Sequence, residues 1–318
     1  MNLSQVDFQN ITRWIYRNAR PLDIVRWQYH FENGSGEEVL KVLSVYQNDD
    51  GGFGNAVEAD SWNPNSSPYS TAIAIWILDE VKLNDKNHPI IQGILKYLEN
   101  TPDFFDGYWP AVINSNNDYP HAPWWTFTNR TALEEWGYTP TAMLVGFILC
   151  YEDNNSEFFK KAMEIAKTAV DKYLNGVLPN GVLYRDICRE GEIDCFYHLL
   201  KCIERAKLSH IFKTSELKEA LQNQVKKFIE KDTSKWNQYC YKPSAFITSK
   251  DSIFYEGNKE IIDVEIDNLL TKRNKDGIWD IVWNWGAYEK EFAISENWWK
   301  ANKVIFYLLF IRNFSEIE

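Results

Sequence analysis

Two short stretches hold the residues best suited to acid–base chemistry. In NAVEADSW (55–62) Glu58 and Asp60 follow a glycine-rich turn, and irregular chain after such a turn is a good place to hold carboxyls over a cavity. In NDYPHAPWW (117–125) Asp118 stands three residues before His121, and two tryptophans follow. Histidine is the one side chain that titrates near neutrality unperturbed, and a nearby carboxylate can orient it. A carboxyl acting as general acid needs a raised pKa, which an aromatic, water-poor wall supplies. Glu58, Asp60, Asp118 and His121 are therefore the candidate catalytic residues. The plainer use of the same residues is structural: acids that cap turns or the helix starting near 68, and a histidine that packs inside a proline-rich loop.

The wall material is abundant. Fourteen tryptophans and 15% aromatic residues in 318 exceed what a core of this size needs. Trp62, Trp124, Trp125, Trp283, Trp285, Trp298 and Trp299 are the candidates for substrate contact, whereas Trp109 and Trp279 read as plugs between stacked repeats. Further carboxylates expected on the same end are Glu134, Asp186, Glu190, Asp280 and Glu296; the cations Arg130, Arg185, Arg189 and Lys290 do not cluster in sequence.

The elements that must position these groups repeat along the chain. QNDDGGFG (47–54), FFDGYWP (104–110), LPNGVLY (178–184) and RNKDGIWD (273–280) each place Asp-Gly or Asn-Gly just before aromatic or apolar residues, at the end of a helical segment. Glycine there is expected to supply the positive φ of a helix C-cap. SSPYSTAIAIWILDE (66–80), YTPTAMLVGFILC (138–150) and YKPSAFITSK (241–250) share a proline, then Ser or Thr, then Ala, the signature of a helix's first turn. TAMLVGFILC is apolar on every side, which predicts a helix surrounded by protein.

Inner helices are thus expected at about 5–19, 68–82, 138–150, 191–206, 243–254 and 296–313, with amphipathic outer ones at 36–46, 88–100, 156–174, 215–231 and 258–272. Such pairs bury their apolar faces by stacking on neighbours. About six inner and five to six outer helices close a ring, so the expected fold is all-α, a single α/α toroid spanning 1–318. The long connections from outer to inner helix, 47–67, 101–137, 175–190, 232–242 and 273–295, would then share one end and form the cavity mouth; connections from inner to outer helix are short except the first, RPLDIVRWQYHFENGSG (20–36).

Composition excludes several partners. Net charge −11 without a basic block argues against nucleic acid and anionic membrane. No stretch approaches the ~18 apolar residues of a membrane span, and MNLSQVDFQNITRW lacks the basic start and apolar run of a secretory signal. Cys150, Cys188, Cys195, Cys202 and Cys240 are odd in number and form no CxxC pair, which predicts reduced thiols and a cytoplasmic location.

Gln47, Asp50, Gly51, Gly52 and Phe53, and again Asp276, Gly277 and Trp279 with Asn274 in place of the Gln, resemble the turns that recur once per helix pair in the terpenoid-cyclase and protein-prenyltransferase superfamily of α/α toroids. That resemblance implies the toroid and, less directly, an isoprenoid-like hydrophobic substrate in its centre, with tryptophan faces stabilising a carbocation by ~0.5–2 kcal/mol per ring. The Asp-x-Asp-Asp acid of squalene-type cyclases is absent, as is a DDxxD motif for Mg²⁺. The zinc set of the prenyltransferases is matched only in part, by Asp194, Cys195 and His198 in EIDCFYHLLKC. Asp194 and His198 share a helical face, but Cys195 is rotated by about 100°. No metal is therefore assigned, although Mg²⁺ or Zn²⁺ fits the superfamily. Two alternatives stand beside the isoprenoid reading: a carbohydrate-active α/α barrel with paired acids and stacking tryptophans, and a non-catalytic binding scaffold plugged by its own 111–137 loop. Whether a partner subunit is required stays open.

Overall fold

The computed structural model describes residues 3–128 and 136–315. Among them are eleven α-helices and no β-strand, only isolated bridges. The helices are α1 (Gln5–Asn18), α2 (Pro21–Phe31), α3 (Gly36–Leu43), α4 (Pro68–Glu80), α5 (Pro89–Asn100), α6 (Thr141–Tyr151), α7 (Glu157–Asn175), α8 (Glu190–Arg205), α9 (Thr214–Phe228), α10 (Lys259–Thr271) and α11 (Glu289–Phe314). The all-α expectation holds. No helix of the described residues is long and apolar enough to cross a membrane. By packing, the chain divides into two compact units, Ser44–Gln224 and a second made of Met1–Leu43 with Val225–Glu318.

In the Ser44–Gln224 unit the start signals work as their chemistry predicts. Ser67 accepts from the Ser70 amide at 3.0 Å ahead of Pro68, and Ser156 accepts from Phe159 at 2.9 Å; each cap is worth about 1 kcal/mol. α6 lies at the centre, packed against α4, α5, α7 and α8. Every residue from Thr141 to Leu149 is buried, so each large side chain there contributes about 1.5–3 kcal/mol of apolar burial.

The repeated turns share a backbone pattern. The Asn48, Leu178 and Asn274 amides donate to the carbonyls of Gly52, Val182 and Ile278, and Gly51, Gly181 and Gly277 donate back to Asn48, Leu178 and Asn274. The glycine φ values are +95°, +81° and +81°. These are small hairpin-like turns beyond the helix end, not the helix C-caps expected from the glycines: Gln47 bridges Phe53, and Val177 bridges Leu183. The 104–110 stretch makes a tighter version, with Phe105 and Tyr108 exchanging both backbone bonds.

Each of the first two turns is tied to the next helix start by a threonine. The Phe53 amide donates to Thr71 Oγ1 at 3.1 Å, and the Trp109 amide donates to Thr141 Oγ1 at 3.0 Å. Gln47 Nε2 donates to Gly51 O at 2.9 Å and to Ile90 O at 3.2 Å, locking the first turn to α5. The Gln-Asp-Gly pattern is therefore a fastening between a turn and a helix. Trp109 and Trp279 are both buried, in keeping with the plug role.

The other unit departs from expectation in two places. The stretch 21–31, expected as a connection, is helix α2, started by Pro21 at its N-terminus. The stretch 243–254, expected as an inner helix, makes a single 3₁₀ turn at Pro243–Ala245 and then irregular chain. Thr248, Ser249, Asp251 and Ser252 compete for the backbone's hydrogen bonds there, and TAMLVGFILC has no such run. α2 packs on α3 and α11, and α1 also rests on α11.

Candidate functional site

In the Ser44–Gln224 unit two loops are stitched side by side. The Trp62 amide donates to Pro120 O at 2.9 Å and the Ala122 amide donates to Asp60 O at 2.8 Å, so Ser61 and His121 pair as a β-bridge. That pairing joins the loop carrying Glu58 and Asp60 to the loop carrying His121, and all three side chains are buried. Glu58 Oε1 accepts from the Asp60 amide at 3.2 Å. His121 Nδ1 meets the Tyr119 carbonyl at 2.6 Å, which requires it to donate, while Nε2 lies 3.1 Å from Thr126 Oγ1. Asp118 ends the 3₁₀ turn Asn114–Asp118 and is exposed.

A buried amide network fixes the second loop. Asn63 Nδ2 donates to Ser115 Oγ and to Asn116 Oδ1, both at 2.9 Å, and Asn116 Nδ2 donates to Trp125 O at 3.1 Å. Trp125 is held inward by it and stacks on Trp136 at 4.9 Å and 6°, with Tyr69 4.4 Å from Trp125. The Arg189 guanidinium lies over the Trp136 ring at 5.3 Å. Trp62 is half-buried and Trp124 is 37% exposed, so of the expected tryptophans in this unit these two retain open surface.

Tyr69, in the first turn of α4, links the loops to α8. Burial pushes its hydroxyl well above the ordinary tyrosine range, and the charges of Glu58, Cys195, Glu190 and Asp194 add to the effect. Glu190 and Asp194 lie one turn apart on α8. Burial, then the Glu190 charge, also raises the Asp194 carboxyl well above its usual range, although the side chain is only half covered. The Asp194 carboxyl thus holds its proton more tightly than a free carboxyl does.

The remaining candidate zinc residues go elsewhere. His198 Nε2 pairs with Asp79 at 3.0 Å, and Cys195 is buried with its thiol pushed up by burial. Among the described residues no group of three or more His, Cys, Asp or Glu converges as a metal-ligand set. Next to Asp194, Glu192 points into the core: its Oε1 accepts from the Tyr138 amide at 2.7 Å and from the Tyr184 hydroxyl.

The C-terminal tryptophans belong to the other unit. Trp283 meets Trp299 edge-on at 5.3 Å under Lys303, Trp285 is buried on Phe292, and the Arg20 guanidinium lies 5.4 Å over Trp298. Asp23, fully buried, pairs with Arg20 at 2.8 Å and Arg26 at 3.1 Å. Asp280 and Glu296 pair with Lys300 at 3.0 and 2.8 Å. Glu134 and Arg130 lie outside the described residues.

Sequence reasoning missed Tyr69 and Trp136 as site residues and weighed Asp194 only in a partial zinc set that was not assigned. A tyrosine in the first turn after SSP was visible, but its ring partners, 56 and 67 residues on, were not. The chain matches no known protein-family model, no curated protein and no solved structure.

Proposed function

We propose that the Ser44–Gln224 unit carries the active site of an acid–base enzyme of the terpenoid-cyclase type, acting on an uncharged isoprenoid-like substrate, in a cytoplasmic α/α toroid. The observation that supports it is the Tyr69–Trp125–Trp136 ring cluster, with Glu190 and Asp194 one turn apart on α8 and, with Glu58, bearing electrostatically on the Tyr69 hydroxyl. Asp194, protonated, donates to an alkene carbon. The cation formed on the neighbouring carbon is stabilised by ring faces and by the Glu58 and Glu190 carboxylates. One of these carboxylates then takes a proton from an adjacent carbon, forming a new alkene. An anionic diphosphate would face three acids, so a neutral substrate fits better unless a divalent cation intervenes. The helix–turn–helix units joined by the Gln47, Thr71 and Thr141 fastenings support the toroid.

A carbohydrate substrate is the second reading, favoured by Glu190 and Asp194 lying one turn apart on α8. A thermal-shift panel separates the two: neutral isoprenoids, farnesyl and geranylgeranyl diphosphates with and without Mg²⁺ or Zn²⁺, and oligosaccharides. A ligand at 100 times its dissociation constant adds about 2.7 kcal/mol. Stabilisation by neutral isoprenoids, with products lost in Asp194→Asn, is the expected result; stabilisation by sugars alone overturns it.

A further inference from the structure

α6 and α8 approach each other unusually closely, because Gly146 offers no side chain at their crossing. A Cβ there would lie 3.2 Å from His198 Nδ1 and 3.3 Å from Cys202 Cβ. One turn on from Gly146 along α6 stands Cys150, and one turn on from His198 along α8 stands Cys202. The close crossing thus sets two thiols face to face. Cys150 Sγ donates to the Cys202 carbonyl at 3.7 Å. Cys150 is half-buried and Cys202 is buried.

The surroundings distinguish the two sulfurs. The Cys202 contact and the Arg205 guanidinium hold the Cys150 thiol below its ordinary range, while Cys202 is pushed well above by Cys150 and by burial. Arg205 is itself anchored over the Tyr151 ring at 4.6 Å. Cys202 Sγ lies 3.7 Å from His198 Nδ1, and His198 Nε2 lies 3.0 Å from Asp79. With Nε2–H donated to Asp79, Nδ1 is the nitrogen left to take the Cys202 proton. Burial works to raise the Asp79 carboxyl, but the His198 hydrogen bond together with the charges of His198, Lys201 and Arg205 outweighs it and holds the carboxyl low. Nucleophile, neighbouring thiol, cation and oriented base stand together, and none of them is used in the proposed acid–base site.

We propose that Cys150 and Cys202 form a peroxide-reactive dithiol, with Cys150 the attacking sulfur and Cys202, served by His198 and Asp79, the resolving one. The Cys150 thiolate attacks a hydroperoxide oxygen: an S–O bond forms, the O–O bond breaks, and the leaving oxygen departs as water or alcohol. The Cys202 sulfur, its proton passed to His198, attacks the sulfenic sulfur and releases water. Two thiols are oxidised by two electrons, and one peroxide is reduced.

The test treats the reduced full chain with stoichiometric hydrogen peroxide, then blocks remaining thiols with N-ethylmaleimide and maps peptides by mass. Cys240, half-buried, with its thiol raised by burial, is the internal reference. The expected result is a linked Cys150–Cys202 peptide, about 2 Da lighter than the reduced pair, formed before Cys240 changes. Cys150 in the reduced protein should alkylate about tenfold faster than Cys240 at neutral pH. In Cys202→Ser a dimedone adduct should collect on Cys150; in Cys150→Ser the linkage should vanish and Cys202 stay reduced. Oxidation of Cys240 ahead of the pair, or oxidised Cys150 in the wild type without any linked peptide, overturns the proposal. The wild-type comparison decides even if the Cys202 variant folds poorly.

Discussion

The turns at Gly51 and Gly277 have the same backbone bonds and similar φ, yet they sit in different settings. A Cβ on Gly51 would lie 2.1 Å from the Gly93 carbonyl oxygen, whereas one on Gly277 would meet nothing within 4 Å. The first turn is clamped to α5 through Gln47; at the second, Asn274 stands in the Gln position and spends its side chain locally, accepting from the Asp276 and Ile278 amides. One motif has thus kept its shape in both units, but the clamp onto a following helix is seen at the first. The buried glutamates make a similar pair. Glu192 holds groups from two separate segments, Tyr138 and Tyr184, while Glu265 receives both the amide and the hydroxyl of one residue, Ser244, at 2.7 and 2.5 Å. Glu192 thus ties two segments to α8, whereas Glu265 ties one segment to α10.

Substitutions can break that comparison. Gly51→Ala adds both the left-handed strain and a collision with backbone, so a loss of about 3–5 kcal/mol is expected in urea unfolding followed by tryptophan fluorescence. A midpoint equal to the wild type would show that the turn is not clamped. Glu192→Ala strands an amide and a buried hydroxyl in different segments, at about 3 kcal/mol. Glu265→Ala strands groups of a single residue near chain that can adjust, and about 2 kcal/mol is expected from the same unfolding curves. Equal losses would erase the distinction between tying two segments and tying one. Gly277→Ala carries only the backbone term, about 1 kcal/mol, and a loss as large as that of Gly51→Ala would refute the difference in setting.

The smallest effect is one of pH. Burial pushes the Glu192 carboxyl up, against the opposing bonds from Tyr138, Tyr184 and Cys188. A carboxyl whose folded pKa exceeds its unfolded value keeps its proton longer when folded. Its contribution is therefore full below the unfolded value, about 4.3, and is lost as pH rises through the raised folded value. Urea midpoints taken from acid to neutral pH should move in favour of Glu192→Gln, relative to wild type, as pH rises. A constant difference would mean that the carboxyl titrates alike in both states.

Much of this was readable beforehand, for local reasons. Ser67-Pro68, the apolar run of α6 and the Asp-Gly turns act over a few residues, so a one-dimensional reading finds them. α2 was hidden because Asp23 and Arg26, polar residues, occupy its buried face and interrupt the apolar stripe. YKPSAF begins as the true helices do, but nothing in its first turn reveals that the next residues prefer other partners. At the site, Glu58, Asp60 and His121 were singled out by type, and the Ser61–His121 pairing joins the two loops that carry them. Asp194 was singled out for its spacing to His198. Its environment comes from Tyr69 and Glu190, and depends on how α4 meets α8, a tertiary fact without a local signature.

The stitch between the two loops has a kinetic consequence. The amides of Trp62 and Ala122 carry cross-loop backbone bonds around the Ser61–His121 pair, and they join segments some sixty residues apart. Closing so long a span is entropically costly, so the stitch depends on the helices between being in place. Deuterium uptake at these two positions therefore clocks how often the acid-bearing loop and the tryptophan-bearing loop part company.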